Sequence, residues 1–349
     1  MKPIKNINGS GNLAKFKRLN STNSINSKFK YTDLEFYQWF VGFTDAEGCF
    51  YIKIGVKQIQ FRFSIHLHLD DLPVLQNIQN HFKAGNIYIQ KTSASWEVTK
   101  KDEILKLFDI FDIICLNTTK RFNYLDFKEA FLLYNSRSEK NFHAVPGLLE
   151  KISFIKDRMN SKRIFNNSET RDIEISPNWL LGFTEGDGSF FVRLNKFELN
   201  FSLAQADFDL LLFNHIKEYL LRLPLNINNL KNIYVSTSST LVKNEKKDVV
   251  HLKISDTTFL NEIIIPFFKN LQFLTKKGKD FSDWVTIMKI KNLSLHKTEQ
   301  GKELITELAN RMNDNRLSTN LKNQAISESS RIDLANNLDA KIEKLFDRS

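Results

Sequence analysis

The chain has little cysteine: two residues in 349, Cys49 and Cys115. That excludes a disulfide scaffold or a cysteine-built zinc domain and suits a reducing compartment. Apolar runs fall well short of the ~20 residues that a bilayer crossing needs, so a membrane role is excluded. Glycine (12) and proline (6) are scarce. Acidic residues are missing altogether from residues 1–30, which hold Lys, Arg, Ser and Asn. Such a leader resembles a transit peptide or a basic arm, and disorder is expected there.

What is present points elsewhere. Hydrophobic residues make up 42% and charged residues 26%, so a packed core is expected and wholesale disorder is excluded. Fifty basic residues against forty acidic ones leave a net charge of +10. That balance favours a polyanionic partner, most often nucleic acid. Thirty phenylalanines with abundant Lys and Asn share AT-rich codons, a bias that fits an organellar genome.

The chain repeats itself. Residues 39–54 read WFVGFTDAEGCFYIKI and residues 179–194 read WLLGFTEGDGSFFVRL. Trp39 matches Trp179, Gly42 matches Gly182, and the acids Glu47 and Asp187 share one slot 140 residues apart. Downstream, Thr119-Lys120 is matched with Thr275-Lys276, Asp126-Phe127 with Asp280-Phe281, and Met159-Asn160 with Met312-Asn313. Ordered matches of this kind mark a tandem duplication. The expected layout is a leader (1–30), a first half (31–163), a polar linker (164–175), a second half (176–316) and a polar tail (317–349) with a short helix near Ile332–Phe346.

Within each half, periodicity gives the elements. Leu34 to Ala46 suits a helix that stops at Gly48. Phe50, Ile52, Ile54 and Val56 then alternate with polar neighbours, as do Phe61, Phe63, Ile65 and Leu67. Asp71 to Phe82 reads as an amphipathic helix. Two strands follow, with Ile87, Ile89, Trp96 and Val98 inward; further helices span Ile104–Ile114 and Asp126–Asn135. In the second half, Phe190, Val192 and Leu194 face in, and residues 228–248 suggest an extended hairpin. The order predicts an α+β fold: two tandem αββαββα units, each an antiparallel four-stranded sheet covered by helices on one face.

The segments FVGFTDAEG (40–48) and LLGFTEGDG (180–188) resemble the nine-residue signature of LAGLIDADG homing endonucleases, and the likeness covers roughly residues 31–316. Gly42 and Ala46 lie on one helical face, as do Gly182 and Gly186, so the two motif helices can approach closely. That approach sets Glu47 and Asp187 side by side, where two carboxylates repel unless a cation lies between them. Hard divalent ions suit carboxylate, carbonyl and water oxygens. The resemblance implies cleavage of double-stranded DNA at long specific sites with Mg²⁺. Mn²⁺ would substitute, and Ca²⁺ would support binding without cutting. It also implies Glu47 and Asp187 as catalytic, metal-binding acids and the carbonyls of Ala46 and Gly186 as further ligands. Gln205 would be a water- or metal-orienting group, with Leu67 as its counterpart, and Lys120 and Lys276 would support the phosphates electrostatically. Asp45 and Glu185 are expected to be helix-end or structural groups.

The resemblance further implies two sheets forming a pseudo-twofold saddle over the major groove, with outward residues reading base edges. In the first half these are Cys49, Tyr51, Lys53, Lys57, Gln60, Arg62, Ser64, His66 and His68, then Asn86, Tyr88, Gln90, Ser95, Glu97 and Thr99. In the second they are Ser189, Phe191, Arg193, Asn195, Glu198, Asn200, Ser202, His251 and Lys253. Arg62 and Arg193 suit guanine; Gln60, Asn86, Gln90, Asn195 and Asn200 suit adenine. The family implies a single-chain monomer encoded in an organellar intron, in the mitochondrion or alternatively the chloroplast, without an obligate protein partner. The alternatives are an intron maturase of the same fold, acting on its own intron RNA, and a DNA-binding protein that does not cut.

Overall fold

Thr32 starts the first motif helix. Its hydroxyl accepts the Glu35 amide at 3.3 Å while the Glu35 carboxylate accepts the Thr32 amide at 2.9 Å, a reciprocal cap that satisfies two otherwise orphaned donors. The second motif helix begins the same way by different means. Ser176 accepts the Trp179 amide at 3.1 Å, and Pro177 occupies the first turn, where no amide donor is needed. The computed structural model describes residues 32–137, 139–160, 163, 171–223, 232–242, 245–320 and 328–347. The expected leader, most of the linker and part of the tail lie outside them.

The first half runs α1 (Asp33–Glu47), β1 (Gly48–Ile54), β2 (Ile59–His68), α2 (Leu72–Phe82), β3 (Asn86–Ile89), β4 (Ser93–Val98), α3 (Lys101–Phe111), α4 (Lys120–Asn135) and α5 (Leu148–Asp157). The second runs α6 (Pro177–Asp187), β5 (Gly188–Arg193), β6 (Glu198–Ala206), α7 (Leu210–Leu221), β7 (Ile233–Val242) and β8 (Glu245–Ile254). A helical stretch over 257–269 follows, with a π turn at Leu260–Ile264, then α8 (Lys277–Asn292) and α9 (Glu299–Asn310). The tail ends in α10 (Glu328–Asp347). Each half holds one antiparallel sheet, ordered β1-β2-β4-β3 and β5-β6-β8-β7. The α+β architecture, the duplication and the long hairpin of the second half are as the sequence predicts.

Phenylalanine fills the space between sheet and helices. Phe50 lies against Phe63, Phe111 and Phe127, and Phe190 against Phe201, Phe268 and Phe281, all with centroids 5.0 to 5.7 Å apart. Each fully buried ring contributes about 1.5–3 kcal/mol by leaving water. The opposite sheet faces carry the alternating polar residues, and that division leaves two solvent-facing polar surfaces, one per half.

Strand ends depart from the periodicity. Val56 is 87% exposed because β1 stops at Ile54 and the chain turns. Ile89 is 62% exposed at the end of a four-residue edge strand, and Leu194 lies beyond the end of β5. Helix α4 begins at Lys120, six residues before the expected start. A polar first turn hid it, since Lys120, Arg121 and Asn123 offer no apolar stripe.

Candidate active site

Helices α1 and α6 cross where they have no side chains. A methyl group on Gly42 would stand 2.0 Å from the Trp179 carbonyl oxygen, and one on Gly182 would stand 2.1 Å from that of Trp39. Only hydrogen fits at either position. The tryptophans that flank this contact are fully buried and reach across it. Trp39 donates Nε1–H to Glu185 at 2.6 Å; Trp179 donates to Asp45 at 2.8 Å. The exchange is reciprocal, each motif helix supplying one indole and one acid to the other.

Asp45 and Glu185 then tie the seam to the next helix of their own half. Asp45 accepts the amides of Asn117 (2.8 Å) and Thr118 (3.0 Å) and the Thr118 hydroxyl (2.6 Å). Glu185 accepts the amides of Leu274 (2.8 Å) and Thr275 (2.6 Å) and the Thr275 hydroxyl (2.8 Å). Burial pushes both acids upward, Glu185 to about 7, and these donors pull them back. Both are structural groups, as expected of them.

Beyond this seam the helix ends meet. A methyl on Gly186 would stand 2.2 Å from the Ala46 Cβ and 3.4 Å from the Glu47 Oε1, so the Glu47 side chain lies against the last turn of α6. Asp187 ends that turn. Burial pushes both carboxyls upward, and each acid raises the other's cost where it acts: Asp187 reaches about 7, first from burial and then with Glu47 beside it. Lys120 and Lys277 offset part of this. Lys120 is anchored by the carbonyls of Thr44 (3.0 Å) and Ala46 (2.8 Å), and Lys277 by that of Gly188. Burial pulls both ammonium groups downward. Gln205 donates its side-chain amide to Asp187 at 2.6 Å.

These hydrogen bonds correct the internal alignment by one residue. Thr118 and Thr275 make the same bonds to Asp45 and Glu185, so the counterpart of Lys120 is Lys277. Lys276 corresponds to Thr119 instead: their amides bond Asp71 (2.9 Å) and Asp209 (2.8 Å). The Lys276 ammonium pairs with Asp71 at 3.3 Å, on the flank of the junction. Further along, Asp126 corresponds to Asp283 rather than Asp280, since Arg158 and Arg163 pair with the first as Arg311 and Arg316 pair with the second. The match of Asn160 with Asn313 holds, both having positive φ and both donating at 3.1 Å to a β-strand carbonyl, Phe50 or Phe190.

The donor set fits a hard divalent cation: two buried carboxylates pressed together, each disfavoured as an anion until positive charge arrives. Among the described residues no group of three or more His, Cys, Asp and Glu is arranged to hold a metal alone. A cation here would complete its shell with water or bound phosphate. The Ala46 carbonyl already accepts from Lys120, which leaves one lone pair to offer.

On the outward sheet faces, Cys49, Tyr51, Lys53, Gln60, His66, Asn86, Tyr88 and Arg193 are exposed. Lys57, Gln90, Thr99 and Asn195 lie just past strand ends and are exposed as well. Ser64, Ser189, Phe191, Ser202 and His251 are half-buried on the same faces. Arg62 is held by Glu97 at 3.4 Å and lies 5.1 Å over the Tyr51 ring. Arg193 pairs with Glu198 at 3.6 Å beside Lys253, whose ammonium burial pulls downward. Three expected readers are withdrawn from the surface. Asn200 is fully buried opposite Phe191 and donates to the Glu198 carbonyl; Ser95 is buried between His66 and Tyr88 on the neighbouring strands. His68 has Nε2 on Thr319 (2.8 Å) and Nδ1 on the Asp70 amide (3.1 Å), so neither ring nitrogen faces outward. Missing from the expectation are Tyr234, Ser236 and Ser238 of β7, all exposed on the outward face of the second sheet. Their alternation with Ile233 and Val235 was the available signal.

Two helices crossing glycine to glycine, with paired acids where they end and a sheet on either side, define the LAGLIDADG class. The family model described as LAGLIDADG endonuclease matches residues 40–131 and 180–288, more than half of the chain, and the chain belongs to that family. It is 28% identical over 295 residues to the uncharacterized mitochondrial protein RF1 of Saccharomyces cerevisiae, covering 82% of this chain but 61% of that protein. It is 26% identical over 314 residues to the probable intron-encoded endonuclease Cox1-I1b of Schizosaccharomyces pombe, covering 85% and 74% of the two. The solved structure of the LAGLIDADG meganuclease I-CpaMI bound to uncleaved DNA aligns with a TM-score of 0.69 at 24% identity, over 80% of this chain and 99% of that one. At that identity the likeness is one of fold. No helix among the described residues is long and apolar enough to cross a membrane.

Proposed function

We propose that the chain is a site-specific endonuclease that binds duplex DNA across its two outward sheet faces and cuts both strands at the junction of α1 and α6. The observation that carries this is the pairing of Glu47 and Asp187 at the ends of two helices held together by reciprocal indole–carboxylate bonds. A structural ion pair would not place two acids in mutual repulsion; a site for a cation shared with phosphate would.

Glu47 and Asp187 hold the divalent ion, Mg²⁺ or Mn²⁺, which when bound supplies activated water and stabilises the leaving oxygen of the phosphodiester. Gln205 fixes the orientation of Asp187 through its amide bond. Lys120 and Lys277 offset the negative charge of the acids, which lets a phosphate approach them. Arg62 and Arg193, each held by a carboxylate, are oriented for guanine edges, and Gln60 and Asn86 for adenine. The surface lysines add sequence-independent affinity and salt dependence. The names of the relatives support intron mobility in the mitochondrion as the setting, and the internal duplication supports action as a monomer.

Selection of cleaved sequences from a random duplex library would give the target. On that target the purified chain should cut with Mg²⁺, bind without cutting in Ca²⁺, and stay inactive in chelator. Equal cutting in chelator overturns the metal assignment. Tight binding of intron RNA with no cutting of any duplex would favour a splicing role.

A further inference from the structure

We propose that the two acids serve unequal half-sites, Gln205 positioning Asp187 and His66 taking that part beside Glu47, so that the two DNA strands are cut at different rates. The inference rests on the endonuclease reading above. Strand registers fix the correspondence: Gly48 pairs with Ile65 as Gly188 pairs with Leu203, so His66 matches Ala204 and Leu67 matches Gln205.

At the Asp187 half, the amide of Gln205 holds the carboxylate at 2.6 Å. At the Glu47 half, the matching side chain is Leu67, which is buried in the core and has no polar atom to offer. One residue earlier, His66 is exposed where Ala204 offers a methyl group. His66 lines, with Glu47, Lys277 and Leu317, a cleft of about 420 Å³. Its positive charge, when present, pulls the Glu47 carboxyl downward. The wall of this cleft at Leu317 is held in place from the other half of the chain. The Ser318 amide donates to Asp70 at 2.8 Å, and Thr319 meets His68 at 2.8 Å. A carboxamide donates a hydrogen bond but carries no proton between sites, whereas an imidazole does both. The two half-sites thus differ in chemistry as well as in shape.

The test uses the full chain on its selected duplex with a different fluorophore on each strand, under single-turnover conditions in Mg²⁺. In parallel, calcium is titrated into the protein–duplex complex, which reads metal binding without cutting. Gln205→Ala should slow one strand by roughly tenfold or more and leave the other within about twofold, the usual range for loss of a group that orients a metal ligand. His66→Ala should do the same to the opposite strand, and His66→Gln should recover part of that loss. In the calcium titration the two alanine variants should weaken different binding steps. Equal slowing of both strands by both variants, or no change in His66→Ala, overturns the proposal. If the wild-type chain binds its duplex but cuts neither strand, the endonuclease reading fails. The titration then decides alone: different steps weakened support the inequality, and one shared step, or none, refutes it.

Discussion

Replacing Trp39 by phenylalanine removes one half of the reciprocal seam. The indole is fully buried and its Nε1–H meets Glu185 Oε2 at 2.6 Å, while the three other donors to Glu185 all go to Oε1. The substitution therefore strips one carboxylate oxygen of its recorded side-chain donor. A hydrogen bond to a charged group is worth about 1.5–3 kcal/mol. The smaller ring adds about 1–2 kcal/mol for lost packing, below the ~3–5 of truncation to alanine. Stacking on Phe43, at 4.8 Å between centroids, survives with a phenyl ring. The expected cost is about 3–5 kcal/mol, or roughly 5–15 °C in melting temperature for a chain of this size. It should also grow with pH. Glu185 sits at about 7 because burial outweighs its donors, and losing one donor favours the protonated form further. Protonation relieves the buried charge at pH 6; at pH 8 the ionised folded form bears the full cost. The assay is chemical denaturation of Trp39→Phe, Glu185→Gln and the double variant at pH 6 and 8. Coupling of about 1 kcal/mol or more is expected. Additivity within about 0.5 kcal/mol would show that the indole and the acid do not interact energetically and would refute the reasoning.

Three further outcomes follow from the same geometry. Asp187→Asn and Glu47→Gln should abolish cutting and keep specific binding, measured by single-turnover cleavage and by titration in Ca²⁺. In chelator, Asp187→Asn should also be the more stable protein at pH 8. The wild-type carboxyl, raised from 3.8 to about 7, binds its proton more tightly folded than unfolded, so its stability falls as pH rises across that window, by no more than about 4 kcal/mol. Gly182→Ala should cost several kcal/mol or prevent folding, because its methyl would meet the Trp39 carbonyl at 2.1 Å; a variant that melts like wild type would contradict the close crossing. Arg193→Ala should relax preference at one base pair by about 1–3 kcal/mol without changing the metal requirement, read by competition among single-base variants of the target.

Much of this was legible because the strongest signals were doubled. Glu47 and Asp187, Gly42 and Gly182, and the alternation of both strand pairs needed only the sequence laid against itself. What failed was local and has physical causes. Thr-Lys occurs at 119–120 and 275–276, but two lysines follow Thr275, and only the bonds to Asp45 and Glu185 show which one is Lys120's equal. Period two assigned Asn200 and Ser95 to the outer face correctly, yet short side chains beside Phe191, His66 and Tyr88 are covered by their neighbours. His68 lost its exposure to Thr319, 251 residues later, a contact that no local pattern encodes.

The reciprocity of the seam has a consequence for the halves taken apart. Trp39 and Asp45 stand in the first helix as Trp179 and Glu185 stand in the second, each indole answering the other's acid. A single half thus carries both members of the lock and presents to an identical half the surface it now presents to its sibling. Two separate copies would meet only as fast as dilution allows. Joined through residues 164–175, they face each other at an effective concentration in the millimolar range, so the junction assembles at any expression level the cell provides.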